Sequence, residues 1–312
     1  MTRKTLNIIC GSVLPVELEK GSELLSFSDS LVFGPRSDIQ HYNALQRFVF
    51  WKHVYDCVFE KEVREWEWDM SYFLDEGKKY DVARKALLDG HGLNIWVSMD
   101  PSEILLFGAL ANFVRYLDIK NDDITLSVCS QTVQKKHVCI RDIEIYSDIW
   151  NFCSKSTCTE PNSHVWASFC QNCPHIAFLL QCLRFLQPNI NGDLTLLAKI
   201  DKELLQRVSN NTPVKSNIIV GDMVSEYPWL GEIYPFYRFY HLSYSIKAII
   251  PESFGKRFNQ VSYVRTVTGD KYLEEGITDS LVKTKYFAGW CACSRLLKDT
   301  TTDTPGGGNG SE

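Results

Sequence analysis

Short apolar runs alternate with helix-length segments over the first half of the chain. TLNIIC (residues 5–10) is closed by Gly11-Ser12 and reads as a buried strand feeding a loop. ELLSFSD (23–29), LNIWVS (93–98) and DITLSVC (123–129) repeat the pattern. The third run is entered through Gly90-His91-Gly92 and left through Asp100-Pro101. Between the third and fourth, Ile104, Leu105, Phe107, Leu110, Ala111 and Val114 recur at helical spacing. Asp100 or Ser102 caps that helix, with Pro101 near its first turn. Strands separated in this way need crossover connections and give a largely parallel sheet. Segment 38–90 is helical in character and carries Phe48, Phe50, Trp51, Trp66, Trp68, Tyr72 and Phe73. These aromatics read as helices covering one sheet face, a commoner use than a binding groove.

The pattern changes from about residue 130. QTVQKKH (131–137) and SKSTCTEPNS (154–163) read as loops, the second as a domain boundary. Helix-like segments follow: HVWASFCQN, PHIAFLLQCLRFL, GDLTLLAKIDKELLQRV, and MVSEYPWLGEIYPFYRFYHL, the last broken by Pro228 and Pro235. NQVSYVRTVTGDKYLEEGITDSLVKTKYFAGWCACSRLL reads as strand, Gly turn, short helix and further strands. Its Thr266-x-x-Gly269-x-x-x-Leu273 spacing is like the last part of many winged-helix domains. TPGGGNGSE (304–312) has the composition of a flexible tail. The expected architecture is α/β: a mostly parallel N-terminal sheet with covering helices (1–150), then a mainly helical domain with a small winged-helix-like sheet (151–300), then a tail (301–312).

Charge narrows the function classes. Residues 1–150 hold 17 basic and 23 acidic side chains, residues 151–212 hold 5 and 4, and residues 213–299 hold 11 and 9. No segment has the strongly basic balance of a nucleic-acid surface, so nucleic acid is not expected as a partner. No apolar stretch reaches the roughly 20 residues of a membrane span, and the amino-terminal residues lack a signal-peptide pattern, so a cytoplasmic protein with no membrane partner is expected. In that compartment most of the 11 cysteines should be free and buried.

GxGxxG and GxxxxGK[ST] are both missing, and Gly11-Ser12 is the nearest approach to a phosphate loop. Asp29 ends the second strand, at the sheet edge where parallel α/β proteins bind ligands. Arg36 follows the Gly34-Pro35 turn, and Arg47 lies on the next helix. An aspartate with two guanidinium groups suits a phosphate or carboxylate, with Asp29 orienting an arginine. The same residues suit a plain turn with surface ion pairs. Cys153, Cys158, Cys170 and Cys173 have a spacing that zinc accepts, with His164 and His175 nearby, but Trp166 and Phe169 between them favour simple burial. No nucleophile elbow or HExxH motif appears.

The strand ending in Gly11, the FSDSLVFGP stretch with Asp29, Gly34 and Pro35, Arg47-Phe48, and NIWVSMDPSEILL around Trp96 and Asp100 together resemble a bacterial family, domain of unknown function 1835. VWASFCQNCP, NGDLTLLAKIDKELLQRV and TVTGDKYLEEG…FAGW resemble its usual uncharacterised second domain. The likeness covers most of residues 5–295. Where it implies an acidic residue after Trp96, this chain has Val97-Ser98. The resemblance implies an architecture and no catalytic residues. The candidate ligand-binding set is Gly11, Ser12, Asp29, Gly34, Arg36, Arg47 and Trp96, with no cofactor. The leading expectation is a binding or regulatory module that senses a small phosphate- or nucleotide-like anion and meets a protein partner through residues 151–300. Its alternatives are a hydrolase or transferase on a phosphate- or sugar-containing substrate, with Asp29 as base, and a DNA-binding regulator.

Overall fold

The computed structural model describes residues 4–10, 23–31, 33–34, 42–58, 69–97, 100–117, 124–128, 134–137, 198–253 and 260–275, with short pieces at 147, 178–179, 181–182, 186, 190–191 and 194–195. The first half contains β1 (Thr5–Cys10), β2 (Leu24–Phe27), α1 (Ala44–Val58), α2 (Met70–Leu88), β3 (Gly92–Val97), α3 (Pro101–Tyr116), β4 (Ile124–Val128) and β5 (Gln134–His137). Four strands run parallel in the order β2-β1-β3-β4, and β5 adds an antiparallel edge. The protein is therefore α/β with a mostly parallel amino-terminal sheet.

Residue alternation gives the sheet two unlike faces. Leu6 and Ile8 of β1, Phe27 of β2, and Leu93 and Ile95 of β3 enter one apolar core with α1, α2 and α3. Each such side chain, fully buried, contributes about 1.5–3 kcal/mol. Asn7, Asn94 and Trp96 point the other way, and the β1–β3 register sets Asn7 beside Asn94. Asn7 Oδ1 accepts from Asn94 Nδ2 at 2.8 Å and from Trp96 Nε1 at 3.2 Å. Its own amide donates to the Glu23 carbonyl at the entrance to β2. One asparagine thus ties three neighbouring strands, satisfying polar groups that would otherwise be costly to bury.

β5 corrects the reading of QTVQKKH as a loop, since Gln134–His137 pairs antiparallel with β4. A polar, lysine-bearing edge strand lacks the apolar alternation that marks a core strand, and such edges resist unwanted pairing.

The later part contains two short paired strands, β6 (Ile190–Asn191) and β7 (Leu194–Thr195). They are followed by α4 (Lys199–Arg207), β8 (Val214–Lys215), α5 (Ser216–Glu226), a 3-10 turn (Pro228–Leu230), α6 (Ile233–Tyr244), β9 (Ile249–Ser253), β10 (Ser262–Arg265) and α7 (Val267–Glu275). Strands β8, β10 and β9 form an antiparallel sheet in that order. Pro235 does not break α6, because it falls in the first turn, where backbone N–H groups have no intrahelical acceptor. Pro228 does end a helix, since α5 stops at Glu226. Gly269 lies inside α7 rather than in a turn. A Cβ there would meet the Ala248 carbonyl oxygen at 2.3 Å, so glycine is what allows α7 to lie against the chain entering β9. Thr266 Oγ1 accepts from Gly269 N and donates to the Lys247 and Ala248 carbonyls at 2.9 and 3.1 Å, which explains the Thr-x-x-Gly spacing.

α6 is covered nearly all round. Tyr234, Phe236, Tyr237, Arg238, Phe239 and Leu242 are all buried, and α6 packs against α1, α4, α5 and β9. The contact with α1 joins the two parts of the molecule in one core.

Candidate functional site

The strand order contains a reversal. From β1 the chain moves to one side to make β2, then crosses back over β1 to make β3 and continues in that direction to β4. Crossovers of opposite sense diverge between the carboxyl ends of β1 and β3, the crevice position at which open α/β sheets bind ligands. Cys10 ends β1 on one side. On the other, Asp100 caps α3, accepting from Ser102 N at 2.7 Å, with Pro101 as the first helical residue. The loop after β2 reaches the same edge: the Ser30 and Ser102 hydroxyls are 2.7 Å apart.

Around that loop the described candidates Asp29, Gly34 and Arg47 come together, with Asp29 and Arg47 paired in a buried network. Arg47 is 1% exposed and Asp29 7%, so theirs is not a surface pair. Arg47 Nε donates to Asp29 Oδ2 at 2.7 Å and Nη2 to Oδ1 at 2.6 Å, a bidentate fork. Nη2 also donates to the Ser30 carbonyl at 2.8 Å, and Nη1 to the Phe33 carbonyl. The Asp29 carboxylate receives Tyr42 Oη at 2.6 Å and Trp51 Nε1 at 3.2 Å as well. From α2, Glu76 accepts the backbone N–H groups of Ser28 and Asp29 at 3.0 and 3.3 Å and pairs with Lys79. Gly34 closes the loop at φ +76°, and a Cβ there would come within 2.5 Å of the Phe50 ring. One guanidinium thus fixes both ends of the segment from Asp29 to Phe33.

The electrostatics follow from burial and crowding. Burial works against the Arg47 charge, but the Asp29 carboxylate outweighs it and holds the guanidinium protonated. Burial raises the Tyr42 hydroxyl, and Asp29 adds to the effect, so Tyr42 stays a neutral donor. At the crevice, burial pushes the Cys10 thiol well up, and the carboxylates of Glu103, Asp100, Glu76 and Asp29 push it further. Cys10 is therefore a thiol without nucleophilic activation.

Trp96 is placed elsewhere, on the second sheet face with Asn7. Gly11, Ser12 and Arg36 lie outside the described residues, as do Cys153, Cys158, Cys170 and Cys173. Among the described residues no three His, Cys, Asp or Glu side chains gather as metal ligands, and no helix is long and apolar enough to cross a membrane. Cys10, Cys57 and Cys182 are free thiols. Sequence reasoning missed Tyr42, Trp51, Glu76 and the Ser30–Ser102 contact. Trp51 had a signal, since it stands four residues after Arg47 and shares its helix face. Glu76 had none, because it sits among Asp75, Lys78 and Lys79 and looks like a solvated position.

No protein-family model matches this chain, and no curated protein or solved structure shows significant similarity to it.

Proposed function

We propose that this chain is a binding or regulatory module whose small-molecule site is the crevice between the carboxyl ends of β1 and β3. The observation that carries the reading is the reversal of crossover direction in the β2-β1-β3-β4 order. The ligand we assign is a small nucleotide-like anion. Gly11 and Ser12, directly after β1, and Arg36 are the residues we assign to its phosphate, while Asp100 and Glu103 suit its hydroxyl or amine groups. Binding is favoured over turnover because the Asp29 carboxylate is engaged by four donors, from Arg47, Tyr42 and Trp51, and is poorly suited to act as a base. Arg47 supports the site by shaping its loop. The resemblance to domain-of-unknown-function family 1835 belongs to the same reading.

For the second half we propose a winged-helix-like unit, a reading supported by the order α4-β8-α5-α6-β9-β10 with strands β8-β10-β9. The helix that would enter a DNA groove in such a unit is α6, and α6 is buried against α1. This favours a protein-facing role, with α1 as the surface α6 meets. Calorimetric titration and thermal shift of the whole chain with AMP, ATP and inorganic phosphate test the ligand reading. Ligand at 100 times its dissociation constant should add about 2.7 kcal/mol of stability. Binding should weaken at least tenfold in a Ser12→Ala, Arg36→Ala double variant. No binding by any of the three at millimolar concentration, or binding indifferent to that double change, contradicts the reading.

A further inference from the structure

The loop after β2 touches both the crevice and α6. At its start, the Ser30 hydroxyl meets that of Ser102, on the first turn of α3 beside the crevice. At its end, the Phe33 ring stacks on Tyr234 of α6, with centroids 4.5 Å apart and planes 24° apart. Between these points stands Arg47, whose guanidinium holds the carbonyls of both Ser30 and Phe33. A guanidinium is planar and rigid, so a shift of Ser30 that turns the fork also moves Phe33. Trp51 touches Phe33 edge-on, and on the same helix His53 meets Tyr237 of α6 at 5.8 Å, so α1 backs the whole contact.

We propose that this loop is a transmission element coupling occupancy of the crevice to the seat of α6, and thus to the winged-helix-like unit. The proposal rests on the ligand reading above for its physiological input, but the mechanical link stands on the loop itself. Its two states differ in one bond. In one, Ser30 and Ser102 share a hydrogen bond. A ligand oxygen seated above Cys10 competes for the Ser102 hydroxyl, Ser30 is released, and the Arg47 fork passes the change to Phe33 and Tyr234. Because coupling is reciprocal, loosening α6 must also alter affinity at the crevice.

Hydrogen exchange of the full chain tests the link. Ser102→Ala removes the hydroxyl without disturbing a packed side chain, and one neutral hydrogen bond corresponds to about a fivefold change in local opening. Exchange should rise about that much in residues 28–34 and in residues 233–240 of α6, with α7 unchanged. Adding Phe33→Leu, which keeps an apolar side chain but removes the ring stack, should abolish the α6 response while the response in residues 28–31 persists. A Ser102→Ala response confined to the loop overturns the proposal, as does an α6 response that survives Phe33→Leu. Addition of AMP separates this link from the ligand reading. If AMP binds and protects the sheet edge while α6 is unchanged, the coupling is wrong and the site stands. If AMP does not bind but the Ser102→Ala pattern reaches α6 through Phe33, the coupling stands and the ligand assignment falls.

Discussion

Arg47 and Arg238 each meet an aspartate away from water, but the groups they gather differ. Arg238 of α6 donates from Nε and Nη2 to the two oxygens of Asp201 on α4, both at 2.9 Å, and so ties helix to helix. Arg47 makes the same fork with Asp29, then reaches two carbonyls of a loop whose amide groups are held from the far side by Glu76. In the first case two regular elements are already satisfied internally, and the pair fixes how they cross. In the second, the loop backbone has no ladder or helix to satisfy it, and side chains supply its partners. Buried ion pairs gain little over apolar packing of the same shape, so their presence is better explained by what they specify. Here one specifies a helix crossing and the other a loop at the carboxyl edge of the parallel sheet.

The largest effect expected from breaking this contrast is on stability. Arg47→Ala and Arg238→Ala each take the counter-charge from a buried carboxylate and should cost about 3–5 kcal/mol in urea unfolding. Arg47→Ala should also raise amide exchange in residues 28–34, whereas Arg238→Ala should act mainly on α4 and α6. Equal and uniform effects from the two changes would erase the distinction.

Glycine changes should cost somewhat less. Gly34→Ala combines a positive φ with overlap on Phe50, and Gly269→Ala overlaps the Ala248 carbonyl, so each should lose about 1–3 kcal/mol, measured as a lowered denaturant midpoint. The structural question behind them is whether the loop and the α7–β9 contact yield independently. A double variant should therefore be close to additive.

Asn7→Ala sharpens the comparison from the other sheet face. It strips the shared acceptor from Asn94 and Trp96 and should cost about 1–3 kcal/mol. Trp96 fluorescence should change, while exchange in residues 28–34 stays as in the parent chain. A response in the loop would mean the two faces are not separate.

The smallest effect is a pH effect. Burial lowers the pKa of His53 on α1 below its ordinary 6.5. The unfolded chain then takes up its proton first on acidification, so stability falls as pH drops below about 6.5. His53 is only partly withdrawn from water, so the change should be slight. His53→Gln should flatten the pH dependence of the melting temperature in that window; an unaltered slope assigns the dependence to other groups.

These contrasts show why the fold was more legible than the site. β1, β3 and α3 announce themselves through apolar runs, Gly and Pro boundaries, and the Asp100-Pro101 cap. β8 has two residues, β9 carries Pro251, and β5 reads as polar loop, so tertiary pairing rather than local pattern makes them strands. Asp29 and Arg47 were recognisable as a pair. Their burial was not, because it depends on Tyr42, Trp51 and Glu76 arriving from separate elements. A glutamate between exposed charges gives no hint that it caps two loop amides.

The account turns on the guanidinium of Arg47 as the holder of the loop, and Arg47→Lys measures this most directly. Lysine keeps the charge on Asp29 but cannot span Asp29, Ser30 and Phe33 at once. Hydrogen exchange of the full chain should show residues 28–34 opening at least tenfold more often, while Arg238→Lys leaves those residues unchanged. Full protection of residues 28–34 in the Arg47→Lys chain would contradict the account.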